Sequence, residues 1–366
     1  MTLDEPRPDD AAPDSLLDPP PAGFGAEIRD AVSVRTVSLV LGVLLIQLAF
    51  IASYVGAFHH PTPHAIPVAV VAPGPTGQQL ISQINALTGR PLSATAAATP
   101  AEATVLVKAG SRSGALIINP SGTSDTLLVA SGGGASVVTA VEQVANQLES
   151  AQGRSVTVSD VVPLQTGDGR GLTGFYLVLG WLVGGYLVAA LLGIAKGARP
   201  ANTRRAVIRL LAIAPYAVLS GLGGAVIVGP VFGALSGHFW ALWGLGVLLV
   251  YSAAAVTFAF QILAGVLGIG LTVLLFVVLG NPSAGGAYQA ALLPAFWRVL
   301  STVLPNGAGT TAVRDVVYFS SRNVTSPILV ITAWLLGGVV VALLASLRLD
   351  HHRTTSARSA VIDASA

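Results

Sequence analysis

Residues 34–58 read VRTVSLVLGVLLIQLAFIASYVGAF, and no charged residue follows Arg35 within that stretch. A helix rises about 1.5 Å per residue, so roughly 20 apolar residues cross the hydrocarbon core of a bilayer. This stretch meets that length, and the sequence on either side of it sets the architecture. Before it, residues 1–33 carry eight acids among many prolines and lack the apolar content to fold alone, so they read as a disordered acidic cytoplasmic tail with a juxtamembrane segment. A long acidic lead is also wrong for a cleaved signal peptide. After it come about 110 water-compatible residues, 59–171, and then a dense apolar block, 172–346. The bulk numbers agree: 53% of the 366 residues are hydrophobic, 10% are charged, and the mean hydropathy is +0.73. Water is not the only solvent for such a chain.

Six crossings are expected, at 34–58, 172–194, 206–228, 239–258, 259–280 and 327–346. The fourth and fifth form one charge-free run, which divides near 258–261, where Gln261 could sit among headgroups. A five-span alternative makes one of these halves re-entrant. The expected fold is therefore a six-span α-helical membrane protein with a small extracytoplasmic α/β domain between spans 1 and 2, and a tail at 347–366. Gly180 and Gly184 in the second span, and Gly337 and Gly338 in the last, suggest close helix packing or a dimer seam.

Basic residues set the orientation, because short loops rich in Lys and Arg stay cytoplasmic. Lys196, Arg199, Arg204, Arg205 and Arg209 follow the second span with no acid among them. With six crossings, both termini are then cytoplasmic, and 59–171 and the loop 281–326 lie outside the cell membrane. Arg298, Arg314 and Arg322 in that outer loop count against this orientation. The excess of Arg over Lys and the Ala/Gly/Val richness fit a bacterial inner membrane.

The segment 59–171 alternates strand and helix signals. Strands are expected at 66–71, 92–95, 115–119, 126–130 and 156–162, with helices over 80–87, 101–108 and 135–151. Thr99 and Pro100 supply a cap and an N1 proline. About 100 residues suffice for a separate core.

Catalytic chemistry is not visible. Cysteine is absent, which removes disulfides and thiolate sites. His59, His60 and His64 are interrupted by Pro61 and Pro63 and read as a linker, with no metal site. The Gly-rich stretches match no dinucleotide fingerprint, and neither lysine precedes Ser or Thr as a phosphate loop requires. Asp160 and Asp168 read as solvated surface. No cofactor, no enzyme activity and no nucleic-acid partner are expected, since the basic residues are scattered among loops. The spans carry no ionisable residue at mid-depth, which argues against ion-coupled transport.

The loop 281–326 is the most distinctive local sequence. It runs through Ser283, Gly285, Gly286 and Tyr288, then Leu292-Leu293-Pro294, Phe296-Trp297-Arg298, Leu304-Pro305 and Arg314. Prolines at 294 and 305 bracket a short helix, too apolar for water and too short to cross, which lies in the interface or dips into it. A second short helix is expected over 310–319. This order resembles the re-entrant loop of type-2 ABC exporter permeases, in the branch of the phage-infection protein (Pip/YhgE-like). The single span, extracytoplasmic insert and later spans are similar as well. Asn306 to Thr311 departs from the expected aromatic content, and the insert is shorter than is usual there. The resemblance implies a permease subunit that homodimerises and exports a hydrophobic or amphipathic substrate from membrane lipid. A separate ATPase would dock on 27–35 or on the basic loop 196–209. The rival reading is a membrane-anchored scaffold or secretion accessory whose outer domain binds a partner.

Overall fold

The computed structural model describes residues 34–365, with side chains at residue 34 and at 36–351. The acidic tail 1–33, and with it most of the docking stretch 27–35, lies outside the described residues. The chain divides into two compact units, 1–48 and 49–366, and helix α1 (Val34–Phe58) runs from the first into the second.

The α/β domain begins at β1 (Ile66–Val71), whose β-branched run suits a buried strand. Pro73 and Gly74, the latter at φ +55°, turn the chain into α2 (Gly74–Asn85). The Asn85 amide then bonds both ways with the Ala94 backbone, at 2.8 and 3.0 Å, and pins β2 (Leu92–Ala96) beside it. Thr99 caps α3 (Pro100–Lys108): its hydroxyl accepts from the Glu102 N–H, while the Glu102 carboxylate accepts from the Ala98 N–H. Then follow β3 (Gly114–Ile117), β4 (Ser124–Val129), α4 (Ala135–Ser150) and β5 (Ser155–Asp160). The sheet order is β2-β1-β3-β4-β5, with β3 and β4 antiparallel and the other neighbours parallel. Alternate residues face opposite sides. Val68, Val70, Leu127 and Val129 pack with α2 and α4, and Ala69, Ala115 and Leu128 pack with α3. Every expected strand and helix of this domain is present, with ends shifted by a few residues.

One ionic group lies inside the domain. Arg154 donates to both carboxylate oxygens of Asp125, at 2.6 and 2.5 Å, and its Nε is 3.5 Å from Glu149. Burial opposes the charge on Asp125, but the bonds from Arg154 and the Asn119 N–H outweigh it and hold the carboxyl below its ordinary value. Glu149, 1% exposed, is pushed up to about 7 by burial and then by Asp125 beside it.

The helical block comprises α5 (Thr173–Lys196), α6 (Thr203–Val226), α7 (Phe239–Ala264), α8 (Leu267–Ser283), α9 (Ala295–Val303), α10 (Pro305–Tyr318) and α11 (Thr325–Ser365). Among the described residues five helices, α1, α5, α6, α7 and α11, are long and apolar enough to cross a membrane, and α8 is a shorter apolar helix. The chain is a polytopic helical membrane protein carrying a small α/β domain.

Helix α7 is the hub, packed against α5, α6 and α11. A glycine on each neighbour meets its backbone. A Cβ on Gly185, Gly221 or Gly338 would lie 2.4, 2.7 or 2.7 Å from α7 backbone atoms. Gly338 is one of the expected positions, while the other three are corrected by register: Gly180 and Gly337 face open space, and Gly184 meets only Tyr216 and Ser220 side chains. The division between the fourth and fifth apolar segments is corrected too. Phe258 and Gln261 are buried inside α7, with the Gln261 amide donating to the Ala190 carbonyl, and the chain turns instead at Gly265, at φ +63°. The last helix does not stop at 346. No glycine or proline follows to end it, and α11 continues through the expected tail to Ser365.

Candidate functional site

The loop 281–326 folds as a helical hairpin that enters the block from the α/β side. Gly285, at φ +75°, turns the chain after α8, and its carbonyl accepts from the Arg314 guanidinium. Gly286 lies against the Phe175 ring, where a Cβ would come within 2.8 Å. Leu292 enters the α/β core, while Leu293 packs with Ala57 and Trp297. Tyr288 sits between these two clusters, 5.8 Å ring to ring from Phe58. The linker after α1 is tied on as well, with the His64 N–H donating to the Ala291 carbonyl and the Thr62 N–H to that of Leu292.

Pro294 opens α9, which is two-faced: Trp297 and Ser301 are buried, while Phe296, 59% exposed, and Val299 point outward. The expected short apolar helix is present, with one face packed into the block and the other exposed. At its far end the Val303 carbonyl accepts from the Trp334 indole, nine residues into α11 and so about 14 Å deep. Pro305 starts α10 at that depth. Asn306 donates to the Asn281 side chain at 3.0 Å and to the Phe276 carbonyl at 2.9 Å, and Phe276 lies seven residues before the end of α8, about 10 Å along it. Helix α10 then climbs back, burying Gly309 against Val178 and Leu249 and Val313 against Gly174. It begins at Pro305 rather than at 310, because the small residues of 306–311 fit a slot that larger ones would overfill. Thr310 bonds back to the Asn306 carbonyl, and Ser283 to those of Leu279 and Gly280.

Where α10 emerges, polar groups gather. Tyr318 donates to Asp168 at 2.6 Å, and the other oxygen of Asp168 accepts from the Thr173 N–H at the start of α5. Asp168 is 3% exposed, which corrects its reading as solvated surface. Asp160 does stay exposed, and accepts from the Ser131 hydroxyl and N–H. Asp315, 7% exposed, has one carboxylate oxygen buried without a hydrogen-bond partner. Arg314 and Asp315 line a cavity of about 260 Å³ between the hairpin and the α/β domain, with Arg112, Gln289, Ser301 and Thr311 in its walls. Gln289 separates it from a wider cleft of about 620 Å³ beside α4 and Arg170, and accepts from the Ser136 hydroxyl.

The structure thus brings together Ser283, Gly285, Gly286, Tyr288, Pro294, Trp297, Pro305 and Arg314. Phe296 faces outward, and Arg298 joins α9 through its backbone alone. The basic loop lies at the opposite end of the block. Arg199 donates to the Ile262 and Leu263 carbonyls at the end of α7, and Arg209 to those of Gly197 and Lys196, while Lys196, Arg204 and Arg205 are exposed. Asp168, Asp315, Asn281, Gln289 and Tyr318 were not singled out as site residues in the sequence. The one available signal was Asp315 beside Arg314 in a loop otherwise poor in charge. His59, His60 and His64 bond only to backbone or to one another's rings, and no cluster of metal-ligating side chains occurs among the described residues. Compared with protein-family models, curated proteins and solved structures, the chain matches none.

Proposed function

We propose that this chain is the permease subunit of an exporter, moving a hydrophobic or amphipathic substrate outward with energy from a separate ATPase. The observation that carries the reading is the hairpin α9–α10. Interrupted helices carrying polar side chains at membrane depth are costly unless they are buried in protein or line a cavity, and in transporters they mark the substrate path. An inert anchor has no use for Asn281, Asn306, Thr310 and Asp315 inside the block. The hairpin also ends on a cavity shared with the α/β domain.

In this reading α8 is the fifth of six crossings. Its 17 residues span about 25 Å, near the thickness of the hydrocarbon core. The basic end, with Lys196, Arg204 and Arg205 exposed, is cytoplasmic, and the α/β domain lies outside. Arg314, which counted against that orientation, is engaged with the Gly285 carbonyl inside the hairpin. Both termini are then cytoplasmic, and two copies form the transporter. The chain has no phosphate loop, so ATP is hydrolysed by a partner and the chain is not itself an enzyme.

The test is purification of the full chain from its native membrane in mild detergent. The expected result is co-purification of a nucleotide-binding ATPase in fixed ratio, with ATP turnover that falls when the chain is removed. Recovery of partners held only through the α/β domain, with no ATPase, would overturn the permease and favour the anchored scaffold.

A further inference from the structure

The end of the block remote from the α/β domain holds a groove that the hairpin does not explain. It has about 330 Å³ of space between the end of α7 and the turns of α11 around 341–349. Its walls are apolar, from Ile262, Leu263, Val341 and Leu344, and two arginines, Arg199 and Arg348, stand at its edge. Arg199 is fixed by its bonds to the Ile262 and Leu263 carbonyls, at 3.1 Å each, so its remaining N–H groups stay at the groove. Arg348 is exposed and makes no hydrogen bond or ion pair among the described residues.

The surroundings share that sign. Lys196, Arg204 and Arg205 are exposed at the same end, and the neighbouring acid, Asp350, accepts from the N–H and hydroxyl of Thr203. A greasy trough at a helix end with two guanidinium groups at its rim matches one ligand class in both parts. Acyl chains lie along the apolar wall, and a phosphodiester takes the arginines, which present N–H donors suited to phosphate oxygens.

We infer that the groove formed by Ile262, Leu263, Val341 and Leu344, with Arg199 and Arg348 at its rim, is a binding site for one anionic phospholipid. This assignment is independent of the export reading, because a scaffold could carry the same lipid. Surface basic residues attract anionic headgroups without regard to the apolar groove, so the specific claim is retention of lipid by these two arginines together with the groove.

The test is native mass spectrometry of the full chain in detergent, titrated with phosphatidylglycerol or with phosphatidylcholine of the same acyl chains. The expected result is preferential retention of one phosphatidylglycerol, weakened roughly five-fold by R348Q and by about 25-fold in R199Q/R348Q, with R204Q/R205Q near wild type. R348Q removes no hydrogen bond or ion pair among the described residues, so it tests the site even where loss of the Arg199 bonds unfolds the end of α7. Equal retention of the two lipids, an unchanged R348Q, or a loss in R204Q/R205Q as large as in R348Q would overturn the site. Full competition by glycerol phosphate at the same concentration would also overturn it, since a headgroup without chains would then suffice.

Discussion

The α/β domain and the helical block are both close-packed, yet they are held together in opposite ways. Around the sheet, large side chains do the packing: Val68, Val70, Leu127 and Val129 meet Leu80, Ile84 and Val141 across two helices. Around α7, contact is made by side chains that are missing, with Gly185, Gly221 and Gly338 letting three neighbouring backbones touch it. Water drives the first arrangement, because burying each large side chain removes apolar area from it. In an apolar solvent that drive vanishes between helices, and what remains is dispersion and backbone proximity. The same contrast governs polar groups. The domain buries a charged set and neutralises it internally, whereas the hairpin pairs its Asn, Thr and Ser side chains mostly with helix carbonyls.

The sharpest way to break this contrast is to exchange large for small in both directions. Gly338→Leu would drive a side chain into α7 backbone and should cost about 3 kcal/mol, enough to abolish a monodisperse detergent-solubilised species in size-exclusion chromatography. Gly337→Leu, one position away and facing open space, should leave that species intact. In the domain the reverse change is the damaging one. Leu127→Ala should destabilise by about 2–5 kcal/mol through the cavity it leaves, seen as faster hydrogen exchange in β3 and β4 while α5 and α7 stay protected. Equal damage from Gly337→Leu and Gly338→Leu would mean that α11 does not pack on α7 in the register described.

How legible each region was in the sequence follows from the same physics. In the domain, one-sided burial imposes a period, and Thr99-Pro100 and Pro73-Gly74 punctuate it, so the strands and helices could be read nearly to their ends. The spans could be counted, but α7 and α11 are apolar all round and carry no phase, so which glycine faces a neighbour was invisible. Phe296 and Trp297 announced α9. Helix α10 was only half visible, because Asn306 to Thr311 has the composition of a loop and is helical only through the slot it fills. Asp168 was unreadable in principle: a carboxylate looks the same whether it is solvated or faces Tyr318 from 150 residues away.

A middle-sized effect comes from the charge inside the domain. Below about pH 4.5 the Glu149 carboxyl is protonated in folded and unfolded chains alike and contributes no slope. Between about 4.5 and 7 the unfolded chain has released its proton while the folded one keeps it, donating to Asp125, so stability falls as pH rises and levels off above 7. The full drop is up to about 3 kcal/mol. Asp125, held low, is ionised in both states throughout this window and adds no slope. Hydrogen exchange of the α4 and β4 amides should therefore quicken from pH 5 to pH 8, after correction for intrinsic rates, and Glu149→Gln should flatten the trend. A flat wild-type profile would mean that Glu149 is ionised in the fold at neutral pH.

The smallest effect tests where the two regions are joined. Tyr318, at the end of α10, donates to Asp168, which also accepts from the first turn of α5, and the Tyr318 oxygen accepts in turn from the Gln165 N–H at 3.3 Å. Tyr318→Phe keeps the ring and removes this relay. Asp168 retains the Thr173 N–H, so the carboxylate is not orphaned and the cost should be modest, about 1.5 kcal/mol, at the lower end for a hydrogen bond to a charged group. The loss should appear as faster exchange at Gln165 and Thr173, with α7 and the sheet unchanged. Faster exchange in the sheet as well would show that the domain owes its order to the hairpin, through Tyr318 and the neighbouring Phe319 packed among Ala69 and Leu128. The sheet already has its own helices on both faces, so the change should stop at the joint.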